Sequence, residues 1–316
     1  MSEQEKPAPA NWERDVLEKL ALSAIQEQRR SRHWSILFKT LGFLYLFIVL
    51  FLVAGWFGSD GVSIKEHTAL VDLQGEIASD KASADTVIAS LQSAFDDKKT
   101  KGVVLRINSP GGSPVQAGQI HDEIKRLRAL HPDVPLYVVV DDICASGGYY
   151  VAVAADKIFV DKASIIGSIG VLMDGFGFTQ TMQKLGVERR LLTAGVNKGF
   201  LDPFSPVDPK QEAYAKQMLE EIHGQFIDVV REGRGKRLKE TPDMFTGLIW
   251  TGTKSVELGL ADGFGSLDSV ARDVIKAEDI VDYTVKENFA DRLAKRFCVA
   301  TMSALGFATQ GGVSLR

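Results

Sequence analysis

The sequence predicts an α/β domain that follows a single membrane-spanning helix. Three observations lead to this prediction. Short β-branched runs alternate with amphipathic stretches after residue 63, an uncharged apolar run at residues 40–59 precedes them, and 45% of the 316 residues are hydrophobic. Such alternation is typical of a largely parallel sheet covered by helices. A chain of this size and composition buries a substantial core, which excludes a disordered or fibrous protein.

Hydrophobic periodicity and end signals give the individual elements of the domain. Strands are predicted at residues 69–72, 102–108 and 135–141. Helices are predicted at residues 84–95, 114–129 and 209–232. Asp208 is placed to cap the last helix and Pro209 suits its first turn. The Gly- and Pro-rich residues 195–209 predict a long loop before it.

The apolar run at residues 40–59 is long enough to cross a hydrocarbon layer of about 30 Å. Basic residues at positions 29, 30, 32 and 39 precede the run, whereas the first charge after it is Asp60. This asymmetry predicts a cytoplasmic amino end and a main domain outside the cytoplasm. A cleavable secretory signal is the alternative. The long polar region before the run favours an uncleaved anchor.

The chain therefore divides into four segments. These are a cytoplasmic segment at residues 1–39, an anchor at 40–59, the main domain at 63–280 and a C-terminal helix or tail at 281–316. The net charge of −4 provides no basic field for a phosphate backbone, so we expect no nucleic-acid partner. The two cysteines form no cluster with histidine that has metal-ligand spacing, so we expect no metal site.

Two glycine-rich turns follow predicted strands and are candidates for chemistry. Residues 106–113 end in a Pro-Gly-Gly turn that can direct backbone amides at an anion, although many such turns have no chemical role. Residues 141–150 place Ser146 where a strand becomes a helix, and there the Gly147 amide can face an oxyanion. A helix-capping serine is the alternative interpretation of Ser146.

Lys198 is the candidate general base. None of the five histidines lies in a glycine-rich turn, whereas Lys198 lies in a loop of small and apolar residues at 193–203. A lysine can act as a base only where desolvation lowers its pKa from about 10.4 toward the working pH. Burial beside Phe200 and Leu201 can provide this environment. A solvated loop lysine is the alternative.

These features resemble the serine-lysine signal peptide peptidase family of bacterial membranes over residues 69–268. The resemblance rests on five motifs: NSPGG at 108–112, ASGGYY at 145–150, GSIGV at 167–171, Lys198 with the downstream Ser205-Pro206, and GLIWTG at 247–252 followed by LGLAD at 258–262. The family implies a fold like that of the Clp protease proteolytic subunit and the crotonases. Residues 63–280 are then the peptidase domain.

The resemblance also implies roles for five residues. Ser146 is the nucleophile, Lys198 the base, and the amides of Gly112 and Gly147 form the oxyanion hole. Ser168 is a possible auxiliary residue that hydrogen-bonds the lysine. No metal or organic cofactor is required by such a dyad.

For the whole protein, the resemblance implies an endopeptidase of the bacterial cytoplasmic membrane whose catalytic domain faces the periplasm. Its expected substrates are peptides, in particular residual signal peptides. The short form with one catalytic domain favours a homo-oligomer whose sites include residues from neighbouring copies. Two alternatives remain: a crotonase-like acyl-CoA enzyme, and a non-catalytic membrane scaffold with a peptidase-like domain.

Overall fold

The computed structural model describes residues 12–53 and 65–285, which belong to two compact units. The described part of the first unit is one helix, α1 (Trp12–Val53). Its stretch Glu27–Phe51 is long and apolar enough to cross a membrane. The helix agrees with the predicted anchor over residues 40–53, while residues 54–59 lie outside the described residues.

The second unit is built on one eight-stranded sheet. Its strands are β1 (His67–Gln74), β2 (Thr100–Ser109), β3 (Leu136–Ala145), β4 (Lys157–Val160), β5 (Ile165–Gly167), β6 (Ile249–Thr251), β7 (Gly263–Phe264) and β8 (Ile280–Asp282). Six of them follow the order β6-β5-β3-β2-β1-β8, and β4 and β7 extend from β3 as a branch.

Helices connect these strands. They are α2 (Ala84–Asp96), α3 (Pro114–Leu130), α4 (Gly147–Ala152), α5 (Thr179–Leu185), α6 (Pro209–Arg234), α7 (Gly252–Glu257) and α8 (Leu267–Ser269), with a 3-10 turn at Gly235–Arg237 and a π-helical turn at Val270–Ile275. Asp208 caps α6 through the Lys210 amide, and Ser113 caps α3 through the Gln116 amide. The predicted strands and long helices are confirmed, with ends shifted by a few residues.

The sheet is parallel except for the antiparallel pair of β5 and β6. Strand β3 carries the branch point: its first half pairs with β4 and its second half with β5. This switch frees the carboxyl half of β3 from β4 and joins it to the strand that leads into Ser168.

Both faces of the sheet are covered, as the parallel arrangement requires. On β2, Val103, Leu105 and Ile107 point into the larger core with helices α2, α3 and α4. Val104 points to the other face, where it packs with Val139 and Val270. Alternate side chains of β2 thus contribute to two cores, one on each face of the sheet.

The apolar stripe of α6 is core over only part of its length. Phe226 and Val230 are buried, whereas Tyr214 is 58% exposed. In the sequence, Tyr214, Met218, Ile222, Phe226 and Val230 recur every fourth residue, and this periodicity predicts core along the entire stripe. The prediction is wrong at the amino end. There α6 packs against exposed loops of residues 171–208 instead of the sheet.

Residues 171–208 form a largely exposed arm that contains α5. Its apolar side chains include Phe176, Leu192 and Val196, which are 78%, 96% and 97% exposed. The predicted loop at 195–209 is its last part.

The domain continues past the predicted end at residue 280. Strand β8 pairs with β1 from Thr68↔Ile280 to Leu70↔Asp282. The Tyr283 amide then donates to the Leu70 carbonyl at 2.8 Å. Residues 281–285 thus belong to the domain, and residues 286–316 lie outside the described residues.

Candidate active site

The candidate residues gather at the carboxyl edge of the parallel strands. Strand β2 ends at Ser109, β3 at Ala145 and β5 at Gly167. Since these three strands are neighbours and run parallel, the turns that follow them meet at one edge. Open α/β sheets bind ligands at such an edge.

Ser146 occupies a strained position between β3 and α4. Its φ of 51° and ψ of −123° lie in a region that side chains rarely adopt. Two backbone hydrogen bonds hold it there: its amide donates to the Gly167 carbonyl at 2.8 Å, and its carbonyl accepts from the Tyr150 amide at 3.0 Å. Its side chain makes no capping hydrogen bond, which excludes the helix-capping interpretation.

The Pro-Gly-Gly turn is clamped by a segment that is distant in the sequence. The Ile77 amide donates to the Gly111 carbonyl, and the Ile77 carbonyl accepts from the Ser113 amide, both at 2.8 Å. Gly112, between them, has a φ of 145°, and a Cβ added to it would stand 2.2 Å from the Ile77 oxygen. Only glycine fits this turn.

The backbones of Gly112 and Gly147 come together in front of Ser146. An ideal Cβ on Gly147 would lie 3.3 Å from the Gly112 amide nitrogen. Among the residues that the structure describes, neither amide donates a hydrogen bond to another backbone group. Two unpaired amides beside a strained serine provide the donors that an oxyanion requires.

Ser168 lies at the same edge and has the same unusual φ of 51°. Its amide donates to the Leu248 carbonyl at 2.8 Å, just beyond the antiparallel pair of β5 and β6. The Trp250 ring lies over the preceding glycine, since a Cβ on Gly167 would be 2.9 Å from its Cδ1. Ser146 is thus bonded to Gly167, and the next residue, Ser168, is bonded to Leu248.

A cleft of about 600 Å³ contains these residues. Ser146, Gly112, Gly147 and Ser168 line it together, as the resemblance implies. The remaining walls are largely apolar and are formed by Pro114, Ala117, Tyr150, Val171, Leu172, Ile222 and Phe226. Among the described residues that line the cleft, Glu76 is the one acidic or basic residue.

Lys198 lies elsewhere. It occupies a turn in the arm, where its amide donates to the Gly195 carbonyl at 3.1 Å. Its side chain is exposed and is not part of the cleft wall. The expected burial beside Phe200 and Leu201 is therefore wrong for the single chain: the Phe200 ring packs against Tyr214 of α6, and the Leu201 amide donates to Gln211 Oε1.

Sequence reasoning missed the residues that support the cleft from behind. His223 of α6 donates from Nε2 to the Ile169 carbonyl at 3.2 Å and so holds the segment that follows Ser168. Ile77 and Trp250 act on the two glycine turns as described above. The position of His223 beside the apolar face of a predicted helix could have indicated that it packs toward the core. No local feature of the sequence indicates that Ile77 contacts the glycine turn.

Burial keeps the neighbours of Ser146 neutral. It raises the pKa of the Cys144 thiol, which is fully buried two residues before the serine. Burial and then the Asp122 charge raise the pKa of Tyr150 in the cleft wall. Neither side chain thus competes with the serine as an anion near neutral pH. Within residues 12–53 and 65–285, no group of His, Cys, Asp or Glu is placed to hold a metal ion.

Comparison with known protein families matches two regions that overlap at the cleft. The model of peptidase family S49 matches residues 128–280, and that of the Clp protease matches residues 62–166. The second match confirms the expected Clp protease-like fold.

The chain is also similar to individual proteins. The chain is 48% identical over 182 residues to a Na(+)/H(+) antiporter NhaA of Brucella melitensis, which covers 58% of the chain and 25% of that protein. It is 30% identical over 200 residues to a putative signal peptide peptidase SppA of Enterococcus faecium, covering 63% of the chain and 58% of that protein. The chain thus spans about a quarter and about three fifths of these relatives' lengths.

A putative protease of Methanocaldococcus jannaschii is 32% identical over 213 residues, which cover 66% of the chain and 68% of that protein. The similarity therefore extends over about two thirds of both chains. Both family models separately include Ser146 in the residues that they match. The chain belongs to peptidase family S49, a family of serine-type peptidases.

Proposed function

We propose that this protein is a membrane-anchored serine endopeptidase in which Ser146 is the nucleophile and Lys198 the general base. The observation that carries the proposal is the strained Ser146, which faces the same cleft as the unpaired amides of Gly112 and Gly147. Strain of this kind is stored at functional sites because the surrounding structure must hold it.

The reaction follows from the chemistry of these groups. The Lys198 amine takes the proton of the Ser146 hydroxyl, and Oγ attacks the peptide carbonyl carbon. The carbonyl oxygen becomes an oxyanion that the Gly112 and Gly147 amides stabilise. Lysine returns the proton to the leaving amine, an acyl-enzyme remains, and water activated by the same lysine hydrolyses the ester. Loss of one oxyanion donor reduces such rates about 10²–10³-fold.

Lys198 is supplied to each site by a neighbouring copy in this proposal. Two observations support it: the lysine is exposed in the single chain, and it is absent from the wall of its own cleft. The arm that carries it exposes Leu192 and Val196 almost fully, as surfaces that a partner chain would cover. Packing against a neighbour would also provide the desolvation that a lysine base needs. The protein is therefore proposed to act as a homo-oligomer.

Ser168 is proposed to assist the lysine. It lines the cleft beside Ser146, and its φ of 51° shows that its position is also held under strain. A hydroxyl at this place can accept a hydrogen bond from the incoming lysine amine and orient it.

The proposed substrates are extended apolar peptides. The cleft walls are largely apolar, and residues 170–172 run along the cleft without regular pairing, which leaves an edge for an added strand. The name of the enterococcal relative points to signal peptides that remain after secretion. Helix α1 is the proposed anchor in the bacterial cytoplasmic membrane, with residues 1–39 cytoplasmic and the domain outside.

An acyl-CoA enzyme on a similar fold is disfavoured by the cleft. Among its described lining residues there is no Lys or Arg to bind the phosphates of the cofactor. A scaffold without activity would leave the strain at Ser146 without a role.

Hydrolysis of an apolar fluorogenic peptide by the full chain tests the proposal. Ser146→Ala and Lys198→Ala should each abolish turnover, while Lys184→Ala, which removes another exposed lysine of the arm, should not. A serine-directed fluorophosphonate should label the wild type and fail to label Ser146→Ala. Full activity of either dyad variant would contradict the assignment.

Co-expression of the two inactive variants tests the contribution of the neighbour. In mixed assemblies, Ser146→Ala copies donate Lys198 and Lys198→Ala copies donate Ser146. Random mixing should restore about a quarter of wild-type activity, because one neighbouring pair in four combines the intact residues. A mixture that stays inactive would show that the dyad does not form between copies.

A further inference from the structure

The turn that carries Lys198 is closed at its base by an ion pair between Arg189 and Asp202. Arg189 Nε lies 2.9 Å from Asp202 Oδ2. The Asp202 side chain is only 9% exposed and that of Arg189 is 34% exposed, although the surrounding arm is open to solvent. A pair shielded in this way is screened less by solvent than an exposed surface pair.

Additional contacts fix both partners of the pair. Ser205 Oγ donates to the same Asp202 oxygen at 2.6 Å. The Arg189 guanidinium lies over the Phe204 ring at 5.2 Å, and Phe204 stacks on Phe178 at 5.5 Å. The pair is therefore part of a packed cluster and not an isolated surface contact.

The carboxyl side of the turn is fixed to helix α6. The Leu201 amide donates to Gln211 Oε1 at 3.0 Å, and Phe200 meets the Tyr214 ring edge to face at 5.9 Å. The Asp202 amide also donates to the Gly199 carbonyl at 3.2 Å. The backbone from 199 to 202 is thus restrained by helix α6 and by its own turn, while the Lys198 side chain is exposed and has none of these contacts.

The next residue in the sequence offers a contrast. Arg190 is 81% exposed and pairs with Glu188, two positions away, whose side chain is 72% exposed. Adjacent arginines of the same arm thus differ: Arg189 bridges the two ends of the Lys198 turn, whereas Arg190 bridges none of it. Substitution of Arg190 removes a charge alone, whereas substitution of Arg189 removes a charge and the ion pair with Asp202. Comparison of the two variants therefore separates these effects.

We propose that Arg189 and Asp202 are positioning residues that set the direction in which Lys198 leaves the arm toward the serine of a neighbouring copy. This inference rests on the proposed function. Lysine has a long side chain, so a small displacement of its backbone moves the amine away from the serine hydroxyl. A misplacement of about 1 Å at a reacting group lowers the rate about 100-fold.

Steady-state kinetics of the full chain give the first test. Arg189→Gln and Asp202→Asn should each lower kcat about 100-fold, by the same positional argument, and leave KM nearly unchanged. The double variant should lose no more than either single variant, because the two residues act as one unit. Arg189→Lys should restore part of kcat, and Arg190→Gln should behave as wild type. Unchanged kcat in Arg189→Gln would overturn the inference.

Mixed assemblies give the second test, which distinguishes a positioning role of Arg189 from a general folding defect. Arg189→Gln is placed either in the Ser146→Ala copy, which donates the lysine, or in the Lys198→Ala copy, which donates the serine. Activity of the mixture should fall about 100-fold in the first case and stay constant in the second.

Equal losses in both cases would overturn the inference, since Arg189 would then support the chain as a whole. Activity that is unchanged in both cases would overturn it as well. An inactive parental mixture without Arg189→Gln contradicts the proposed function itself, and the inference fails with it.

Discussion

Gly111 lies directly against Ser146. A Cβ added to Gly111 would come within 2.7 Å of both the Ser146 Cβ and the Gly147 amide nitrogen. The strained serine and its oxyanion donors therefore depend on a residue without a side chain, which the preceding strand delivers to this point. Any larger residue must displace either the serine or the turn.

Gly111→Ala should abolish hydrolysis while much of the fold persists. The new methyl group would push against Ser146 in a backbone with a φ of 104°, which disfavours alanine. We expect a fall in kcat of at least the 10²–10³-fold that follows loss of one oxyanion donor. Hydrolysis of the apolar peptide measures this. Wild-type kcat in the variant would contradict the described geometry.

Gly118→Ala is the matched control. Gly118 lies within α3, and nothing stands within 4 Å of an added Cβ. This variant should keep full activity and gain about 0.5–1 kcal/mol in free energy of unfolding, because alanine is favoured over glycine in a helix.

Leu172→Asn should weaken substrate binding. Leu172 lines the cleft and is 80% exposed, so it is free to cover an apolar substrate side chain. Burial of a leucine side chain contributes about 1.5–3 kcal/mol. We expect KM for an apolar peptide to rise about 10-fold or more, with a smaller change in kcat. Leu130→Asn, at an exposed site outside the cleft, should leave KM unchanged.

Asp262 should make the stability of the domain depend on acidity. Burial alone would raise the pKa of Asp262, but hydrogen bonds and charge from Arg234, with help from the Ile158 amide and Arg237, lower it below its ordinary value of 3.8. A carboxyl whose pKa is lower in the folded state stabilises the fold at pH values above its pKa in the unfolded state. This contribution is lost as the pH falls through the pKa of the folded state. Wild-type stability should therefore decrease below about pH 4.

Asp262→Asn tests this contribution through chemical denaturation at several pH values. Arg234, only 1% exposed, would remain buried without its counter-charge, which typically destabilises by about 3–5 kcal/mol near neutral pH. The variant should also lose part of the acid dependence. Asp273→Asn, whose partner Arg272 is on the surface, should change little. An Asp262→Asn variant as stable as wild type would contradict the assigned role.

Tyr283 should fasten the last strand to the amino end of the domain. Its hydroxyl donates to Asp97 Oδ2 at 2.6 Å, and Nε2 of the buried His67 shares a hydrogen bond of 2.9 Å with the same hydroxyl. Tyr283→Phe removes both bonds and should destabilise by about 1–3 kcal/mol. Hydrogen exchange at residues 280–283 should accelerate, whereas Tyr137→Phe, a change elsewhere in the sheet, should leave it unaltered.

The same tyrosine predicts an alkaline transition. Burial, followed by the hydrogen bond to Asp97 and its charge, raises the pKa of Tyr283 to about 12 from 10.0. A group whose pKa is raised on folding contributes its full stabilisation at pH values below its pKa in the unfolded state. The stabilisation is lost as the pH rises through its pKa in the folded state. Wild type should lose this contribution between about pH 10 and 12, and Tyr283→Phe should not. Superimposable alkaline curves would contradict the prediction.

Part of the cleft was already visible in the sequence. A β-branched run followed by Cys-Ala-Ser-Gly-Gly predicts Ser146 at a strand-to-helix junction, and the structure has β3 end at Ala145 and α4 begin at Gly147. The NSPGG segment likewise predicts a turn after β2. These features are local, because strand propensity, glycine and capping act within a few residues.

The contacts that complete the cleft were not visible. Ile77 holds Gly111, Leu248 holds Ser168 and His223 holds Ile169, each across 34 to 80 positions of the chain. Such bonds depend on which strands become neighbours, and local periodicity does not carry that information.

By itself, then, the sequence determined the chemistry available: an apolar helix, a parallel α/β domain, a serine at a strand end, glycines beside it and one loop lysine. Only the tertiary structure decided which groups meet, since the carboxyl ends of β2, β3 and β5 bring Ser146, Gly112, Gly147 and Ser168 to one cleft. It left Lys198 exposed on the arm, because burial depends on the surfaces that pack around a residue and not on its neighbours in the sequence.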